Sequence, residues 1–180
     1  MKKFFYSLFL LPFLVVLSGC PFDSAYPIDE TPLQNVEENI LGKWTGIFKT
    51  PTSDNLYTEK LVQLFFEKKS ATAYDFWVTG YKDKLKNDGK PKNDTLKGTA
   101  YISSVSDRQF FNVQLYGRYY IAEFIQEKHN VGIKMLAENF TAKFIKTSQD
   151  LRNAIDFHFK TRAAPNYDDW LEITNLKKED

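Results

Sequence analysis

The chain has 180 residues, with 24 lysines and arginines against 23 aspartates and glutamates, so its formal net charge at pH 7 is +1. This balance argues against a nucleic-acid partner, whose phosphates require a basic face. Aromatic residues make up 16% of the chain while glycine and proline are few, which excludes a low-complexity chain and supplies apolar material for one packed core.

The N-terminus has the features of an export signal. Lys2 and Lys3 give a positive start, and residues 4–17 form an almost uninterrupted apolar run. The run is shorter than the roughly 20 apolar residues that span a bilayer. We therefore predict a cleaved signal peptide over residues 1–19.

The run ends in Leu17-Ser18-Gly19-Cys20, which resembles the lipobox of bacterial lipoproteins. The resemblance implies cleavage between Gly19 and Cys20 and acylation of Cys20, so that acyl chains anchor the protein to a membrane. Pro21 follows the cysteine where aspartate would imply retention in the inner membrane. The resemblance therefore implies a location in the cell envelope, at the periplasmic face of the outer membrane. The alternative is an ordinary secretory signal with a chance cysteine.

Cys20 is the only cysteine in the chain. Its acylation leaves no thiol for a disulfide, a metal site or a nucleophile, so the fold must be held by burial alone. Loss of the two signal lysines would change the net charge from +1 to about −1.

Residues 20–39 contain prolines and acidic side chains, with few large apolar residues and no sustained period. This composition predicts an extended, solvated, lipidated tether. Fully stretched, it would reach about 65 Å, so the domain of residues 40–176 could stand away from the membrane.

From residue 42 onward the dominant pattern is a series of short β-rich segments separated by turn residues. Eight strands are predicted, over residues 42–50, 59–67, 71–81, 95–105, 109–116, 119–126, 130–137 and 139–146. No intervening segment is long enough for a crossover helix, so neighbouring strands should pair antiparallel. Closure removes both exposed edges, and we predict a mainly β fold: an antiparallel, up-and-down, eight-stranded barrel.

After residue 146 the spacing of apolar residues changes from that of strands to that of a helix. Apolar residues recur at helical spacing over residues 147–160, with Thr147 as N-cap and Asp150 three residues later. We predict one C-terminal helix that covers a flank or a mouth of the barrel, followed by a short final strand over residues 170–174.

The first predicted strand begins at Gly42, within the run Leu41-Gly42-Lys43-Trp44-Thr45-Gly46, which resembles the Gly-x-Trp signature of lipocalins. The chain looks more like the loosely related, mostly uncharacterised lipocalin-like bacterial lipoproteins than like the lipocalins themselves. The resemblance implies that Trp44 closes one end of the barrel and packs against an arginine, for which Arg118, Arg152 and Arg162 are available. The alternative is that Trp44 is an ordinary core residue.

The sequence contains no recognisable catalytic or metal-binding motif. His129 and His158 are the only histidines and lack the spacing of metal ligands, so we predict no metal and no cofactor. Ser103 and Ser104 lie inside a predicted strand rather than in a Gly-x-Ser-x-Gly turn. We therefore do not expect an enzyme.

Three charged features are read as solvated surface. Asp75 lies among aromatic residues, and an outward side chain is favoured over a buried ligand-binding carboxylate. Asp168 and Asp169 are more typical of a turn than of acid–base chemistry. The lysines of residues 82–92 alternate with aspartates, as in a hairpin tip; contact with acidic lipid head groups is the alternative.

These observations favour a non-catalytic, lipid-anchored envelope protein. In the first hypothesis its barrel binds a small hydrophobic ligand; in the second, the barrel is filled by its own side chains and its surface binds an envelope protein or serves a structural role. The interior volume would discriminate between them.

Overall fold

A computed structural model describes residues 23–51, 57–81, 95–127, 130–136, 145–161 and 167–179. The predicted signal peptide, Cys20, Pro21, Arg162, His129 and the lysines of residues 82–92 lie outside the described residues. Within the described ranges the elements are β1 (Asp23–Ser24), β2 (Gly42–Pro51), β3 (Tyr57–Lys68), β4 (Tyr74–Thr79), β5 (Leu96–Val105), β6 (Arg108–Leu115), β7 (Arg118–Glu127), β8 (Asn130–Leu136), α1 (Ser148–Lys160) and β9 (Tyr167–Lys178).

The strands β2 to β9 form a closed antiparallel barrel. Each strand pairs with its neighbour in the chain, and β9 pairs with both β8 and β2, which joins the last strand to the first. The two-residue strand β1 adds to β7. The predicted eight-stranded, up-and-down, mainly β barrel is therefore confirmed.

The identity of the eighth strand differs from the prediction. Of the predicted strand over residues 139–146, only residues 145 and 146 are described, and neither is in a strand. The closing strand is β9, which contains the predicted final segment but is 12 residues long rather than five. The helix α1 thus lies in the connection between the seventh and eighth barrel strands.

A bulge in β9 explains why its pattern was weak in the sequence. Ile173 and Leu176 both pack into the barrel interior although they are three positions apart, because Asn175 has φ of +53° and the register with β2 shifts there. A strand with a bulge loses its strict period of two. Gly46 lies opposite, and a Cβ at this position would come within 2.8 Å of Leu176 and 2.9 Å of Ile173.

The barrel interior is packed with aromatic rings at the end where β2 begins. The ring of Phe66 lies 5.5 Å from that of Phe111 and 6.1 Å from that of Tyr74, measured between centroids. Val36 and Ile40, which precede β2, join the same cluster. This end of the barrel is therefore closed by apolar packing.

Residues 23–40 form a strap along the barrel, so the prediction of a solvated tether is wrong for this part of it. Ile28 and Ile40 are each 1% exposed. From its pairing with β7 at residues 23 and 24, the strap runs to the barrel end that Ile40 closes. The composition was misleading because each apolar residue fills a separate site, so the burial leaves no periodic pattern in the sequence.

Buried polar side chains of the sheet hold the strap in place. The side-chain oxygen of Asn112 accepts from the backbone N–H of Ile28 at 2.7 Å, and its amide donates to Ser103 Oγ at 2.8 Å. The hydroxyl of Tyr101 donates to the carbonyl of Asp29 at 2.5 Å. Asn112 and Ser103 are fully buried, so these hydrogen bonds satisfy groups that water cannot reach.

The helix α1 covers a flank of the barrel, which is one of the two positions predicted for it. Thr147 caps it by accepting from the backbone N–H of Asp150 at 3.1 Å, which confirms the predicted cap. Leu151 and Ile155 are fully buried. They form a second core with outward side chains of the sheet and with the strap: Val105, Phe110, Ile121, Leu136 and Ile28.

Replacement of Asn112 with alanine should lower the free energy of unfolding by about 2 to 4 kcal/mol, because the Ile28 N–H and Ser103 Oγ lose a buried partner. Chemical denaturation measures this change, and the Ile28 amide should exchange hydrogen faster. Asn35→Ala in the exposed part of the strap is the control and should change stability by less than about 0.5 kcal/mol. Equal effects of the two variants would contradict the assigned role of Asn112.

Candidate functional site

The barrel interior contains a cavity of about 190 Å³. Every lining side chain is aromatic or aliphatic. The aromatic ones are Phe48, Phe66, Phe76, Tyr81 and Phe111. The aliphatic ones are Leu64, Val78, Leu96, Ala100, Val113, Leu115, Ala122, Ile133, Met135 and Ile173.

Small residues on two strands provide the space. Ala100 on β5 and Ala122 on β7 are each 1% exposed and line the cavity between larger neighbours. A residue larger than alanine at either position would place carbon atoms in that volume. In contrast, Gly98 leaves no spare room, since a Cβ there would come within 2.7 Å of the Phe76 ring.

The two ends of the cavity differ in burial. Phe66 and Phe111 are buried, whereas Val78 and Tyr81 at the end of β4 and Leu96 at the start of β5 are only partly buried. We call the end lined by Val78, Tyr81, Leu96 and Leu115 the mouth end. The opposite end is the one that Val36 and Ile40 close.

The lining determines what the cavity can hold. The phenol of Tyr81 is the one polar side-chain group among the lining residues. A bound molecule would therefore be stabilised by burial of its apolar surface, with little contribution from hydrogen bonds. Apolar cavities of about 150 Å³ bind benzene, whereas pockets for drug-sized ligands exceed about 300 Å³. This cavity therefore suits a compact apolar group.

Trp44 lies near the start of β2, partly buried against the interior cluster. Its indole N–H donates to the carbonyl of Ile40 at 2.8 Å, which ties the strap to the barrel end. Arg118 and Arg152 form ion pairs with strap carboxylates, Asp23 at 2.9 Å and Asp29 at 2.6 Å. The charged partners of these two arginines are therefore carboxylates of the strap.

The carboxylates and hydroxyls with potential for chemistry do not converge on one site. Asp75 pairs with Lys69 at 2.8 Å and its side chain is 48% exposed, which confirms the surface interpretation. Ser103 and Ser104 lie inside β5, as predicted. Asp168 lies in β9 rather than in a turn, as does Asp169. Among the described residues, no group of three or more His, Cys, Asp or Glu side chains is arranged to hold a metal ion.

A cluster of titratable groups lies on the outer wall of the barrel. Glu123 on β7 is 4% exposed; it accepts from Arg108 at 2.6 Å and from the hydroxyl of Tyr167 on β9. Burial and the hydrogen bond to Glu123 raise the pKa of Tyr167, which keeps its hydroxyl protonated as a donor. The Arg108 guanidinium lies 4.2 Å from the ring centroid of Phe159. The cluster thus joins β6, β7, β9 and α1.

Comparison with protein-family models, with curated proteins and with solved structures finds no match to this chain. The fold defines the class: an eight-stranded antiparallel β-barrel, consistent with a lipocalin-like architecture. No helix in the described ranges combines the length and apolarity needed to cross a membrane.

His158 on α1 should make stability depend on pH. Burial, together with the nearby charge of Arg108, lowers the pKa of His158 below its ordinary value of 6.5. The unfolded chain therefore takes up this proton first, and stability is lost as the pH falls through 6.5 toward the lower pKa of the folded state. Urea unfolding at a series of pH values from above to below 6.5 should show a smaller loss in His158→Gln. An identical pH dependence in the variant would contradict the assignment.

Proposed function

We propose that this protein is a non-catalytic, lipid-anchored protein of the cell envelope whose barrel cavity binds a compact apolar ligand or the apolar end of a larger amphiphile. The observation that carries the proposal is the cavity of about 190 Å³ with an aromatic and aliphatic lining. It favours ligand binding over a barrel filled by its own side chains, because an apolar space of this size costs packing energy unless a ligand occupies it.

The affinity should be modest for a small probe. A molecule the size of toluene buries roughly 200 Å² of apolar surface, worth about 5 kcal/mol, which corresponds to a Kd between about 0.1 and 1 mM. A longer apolar chain that fills the mouth end as well would bind more tightly for the same reason.

Met135 provides a direct reporter of occupancy. It lines the cavity and is the only methionine after Met1. The chain 21–180 contains every described residue, so both cores are present in it. In this chain, labelled with ¹³C at the methionine methyl, toluene should shift the Met135 resonance in a saturable way.

The variant Ala100→Leu should weaken toluene binding by about tenfold or more, because three added carbons occupy the cavity and each tenfold corresponds to 1.4 kcal/mol. Ala122→Val tests the same volume with a smaller change. Ala71→Leu, at an exposed position, is the matched control and should bind as the parent does. Absence of a saturable shift, or equal affinity of Ala100→Leu and the control, would overturn the ligand-binding proposal.

The proposed anchor rests on the resemblance of Leu17-Ser18-Gly19-Cys20 to a lipobox. In a bacterial host that acylates lipoproteins, the chain should incorporate a labelled fatty acid and Cys20→Ser should not, because the thiol that carries the acyl group is missing. Gel fluorescence with an alkyne fatty acid measures this, with an immunoblot to equalise protein amounts. Equal labelling of both chains would overturn the proposed anchor.

A further inference from the structure

We infer that the ligand is an anionic amphiphile. An apolar tail of about six to eight carbons fills the cavity, and a carboxylate or phosphate head lies at the mouth end beside the ammonium group of Lys60. The inference rests on the proposed function and deepens it, because it assigns the charge of the ligand head and the length of the ligand tail. Neither property follows from the apolar lining alone.

Lys60 belongs to the inward-facing side chains of β3. Leu64 and Phe66, four and six residues later, line the cavity, whereas Leu61 is 69% exposed. Because side chains alternate between the two faces of a strand, Lys60 lies on the same face as Leu64 and Phe66. Its cross-strand neighbour on β2 is Phe48, which also lines the cavity.

The ammonium group of Lys60 lies at the mouth end. The last residue of β3, Lys68, pairs with Tyr74, whose ring belongs to the aromatic cluster at the opposite end, so the first half of β3 lies toward the mouth. The Nζ of Lys60 donates to the backbone carbonyl of Tyr81 at 3.4 Å, and Tyr81 is a lining residue of the mouth end. The positive charge is therefore next to the apolar volume and outside its lining.

The polarity of the interior changes from one end of the cavity to the other. At the opposite end the rings of Phe66 and Phe111 pack with their centroids 5.5 Å apart. At the mouth end the lining includes the phenol of Tyr81, and Lys60 adds a positive charge. An amphiphile fits this gradient in one orientation, because burial favours an apolar tail whereas a charged head loses its hydration among aromatic rings.

The sign of the charge selects the head group. An ammonium attracts a carboxylate or a phosphate and repels a cation, and hydrogen bonds between charged partners are stronger than those between neutral groups. Lys60 is partly buried, so salt screens its charge less than the charge of a fully exposed lysine. An anionic head at the mouth end gains this attraction and remains in contact with water.

The volume of the cavity limits the tail. A cavity of about 150 Å³ accepts benzene, which has six carbons, so the volume of about 190 Å³ here accommodates about eight. Each buried methylene should tighten binding about fourfold. The affinity should therefore rise from butanoate through hexanoate to octanoate and level off for longer chains.

Three probes with the same eight-carbon tail test the sign of the charge: octanoate, octanol and octylammonium. Each is titrated at neutral pH, where the carboxyl group is ionised, into the chain 21–180, and the Met135 methyl resonance reports occupancy. Octanoate should bind more tightly than octylammonium by about fivefold or more, because the two differ only in the charge of the head. Equal binding of these two probes would contradict the inference.

Substitution of Lys60 tests the assigned residue. Lys60→Gln should weaken octanoate binding by about five- to tenfold and change octanol binding by less than about twofold, and Lys60→Arg should retain the affinity for octanoate. Lys97→Gln is the matched control: Lys97 is exposed at the start of β5, and its Nζ lies 5.9 Å from the ring centroid of Trp77 on the outer face. This variant removes the same charge and should bind octanoate as the parent does.

The outcomes separate the two proposals. Equal effects of Lys60→Gln on octanoate and octanol, or equal losses of octanoate affinity in Lys60→Gln and Lys97→Gln, would overturn the anionic head, while saturable binding of octanol and toluene would still support the ligand-binding proposal. Absence of binding by octanol and toluene would overturn both. Octyl phosphate distinguishes the two heads: tighter binding than octanoate assigns a phosphate, and weaker binding assigns a carboxylate.

Discussion

Pairing of β9 with both β2 and β8 is the constraint on which the rest of the structure depends. A meander of seven strands would leave two rows of unpaired backbone groups, and β9 satisfies both. Closure divides the side chains of each strand into an inward and an outward set, so the interior volume depends on the sizes of residues from all eight strands. The bulge at Asn175 and the absence of a side chain at Gly46 let β9 fit this position while Ile173 and Leu176 both pack inward.

The strap and α1 give the barrel a second core on its outer wall. Without them, Phe110 and Ile121 would be exposed apolar residues on a solvated sheet face. The same cover buries polar groups, and Asn112, Ser103 and Glu123 each have hydrogen-bond partners there. The pairing of β1 with β7 also fixes the strap to the barrel from residue 23 onward.

The candidate site was predictable only as a choice between a filled interior and a cavity. Alternation along residues 95–105 and 109–116 divides each strand into two faces, but it does not show what lies opposite Ala100 or Phe111. Ala100 and Ala122 leave space for a cavity because the closed barrel brings both small side chains to the same interior volume. Aromatic rings such as Phe66 and Phe111 pack near the barrel end where β2 begins. No local pattern records this distribution, since it depends on contacts between residues distant in the chain.

The sequence by itself determined seven of the barrel strands, the helix with its Thr147 cap, and the antiparallel order, because periods of 2 and 3.6 and capping chemistry are local properties. Only the tertiary structure decided that residues 23–40 form a strap, that β9 closes the barrel and that the interior keeps an apolar cavity. In each case, isolated residues such as Ile28, Leu176 and Ala122 derive their role from the surfaces they meet. Burial of a single side chain depends on its distant neighbours and leaves no periodic signal in the chain.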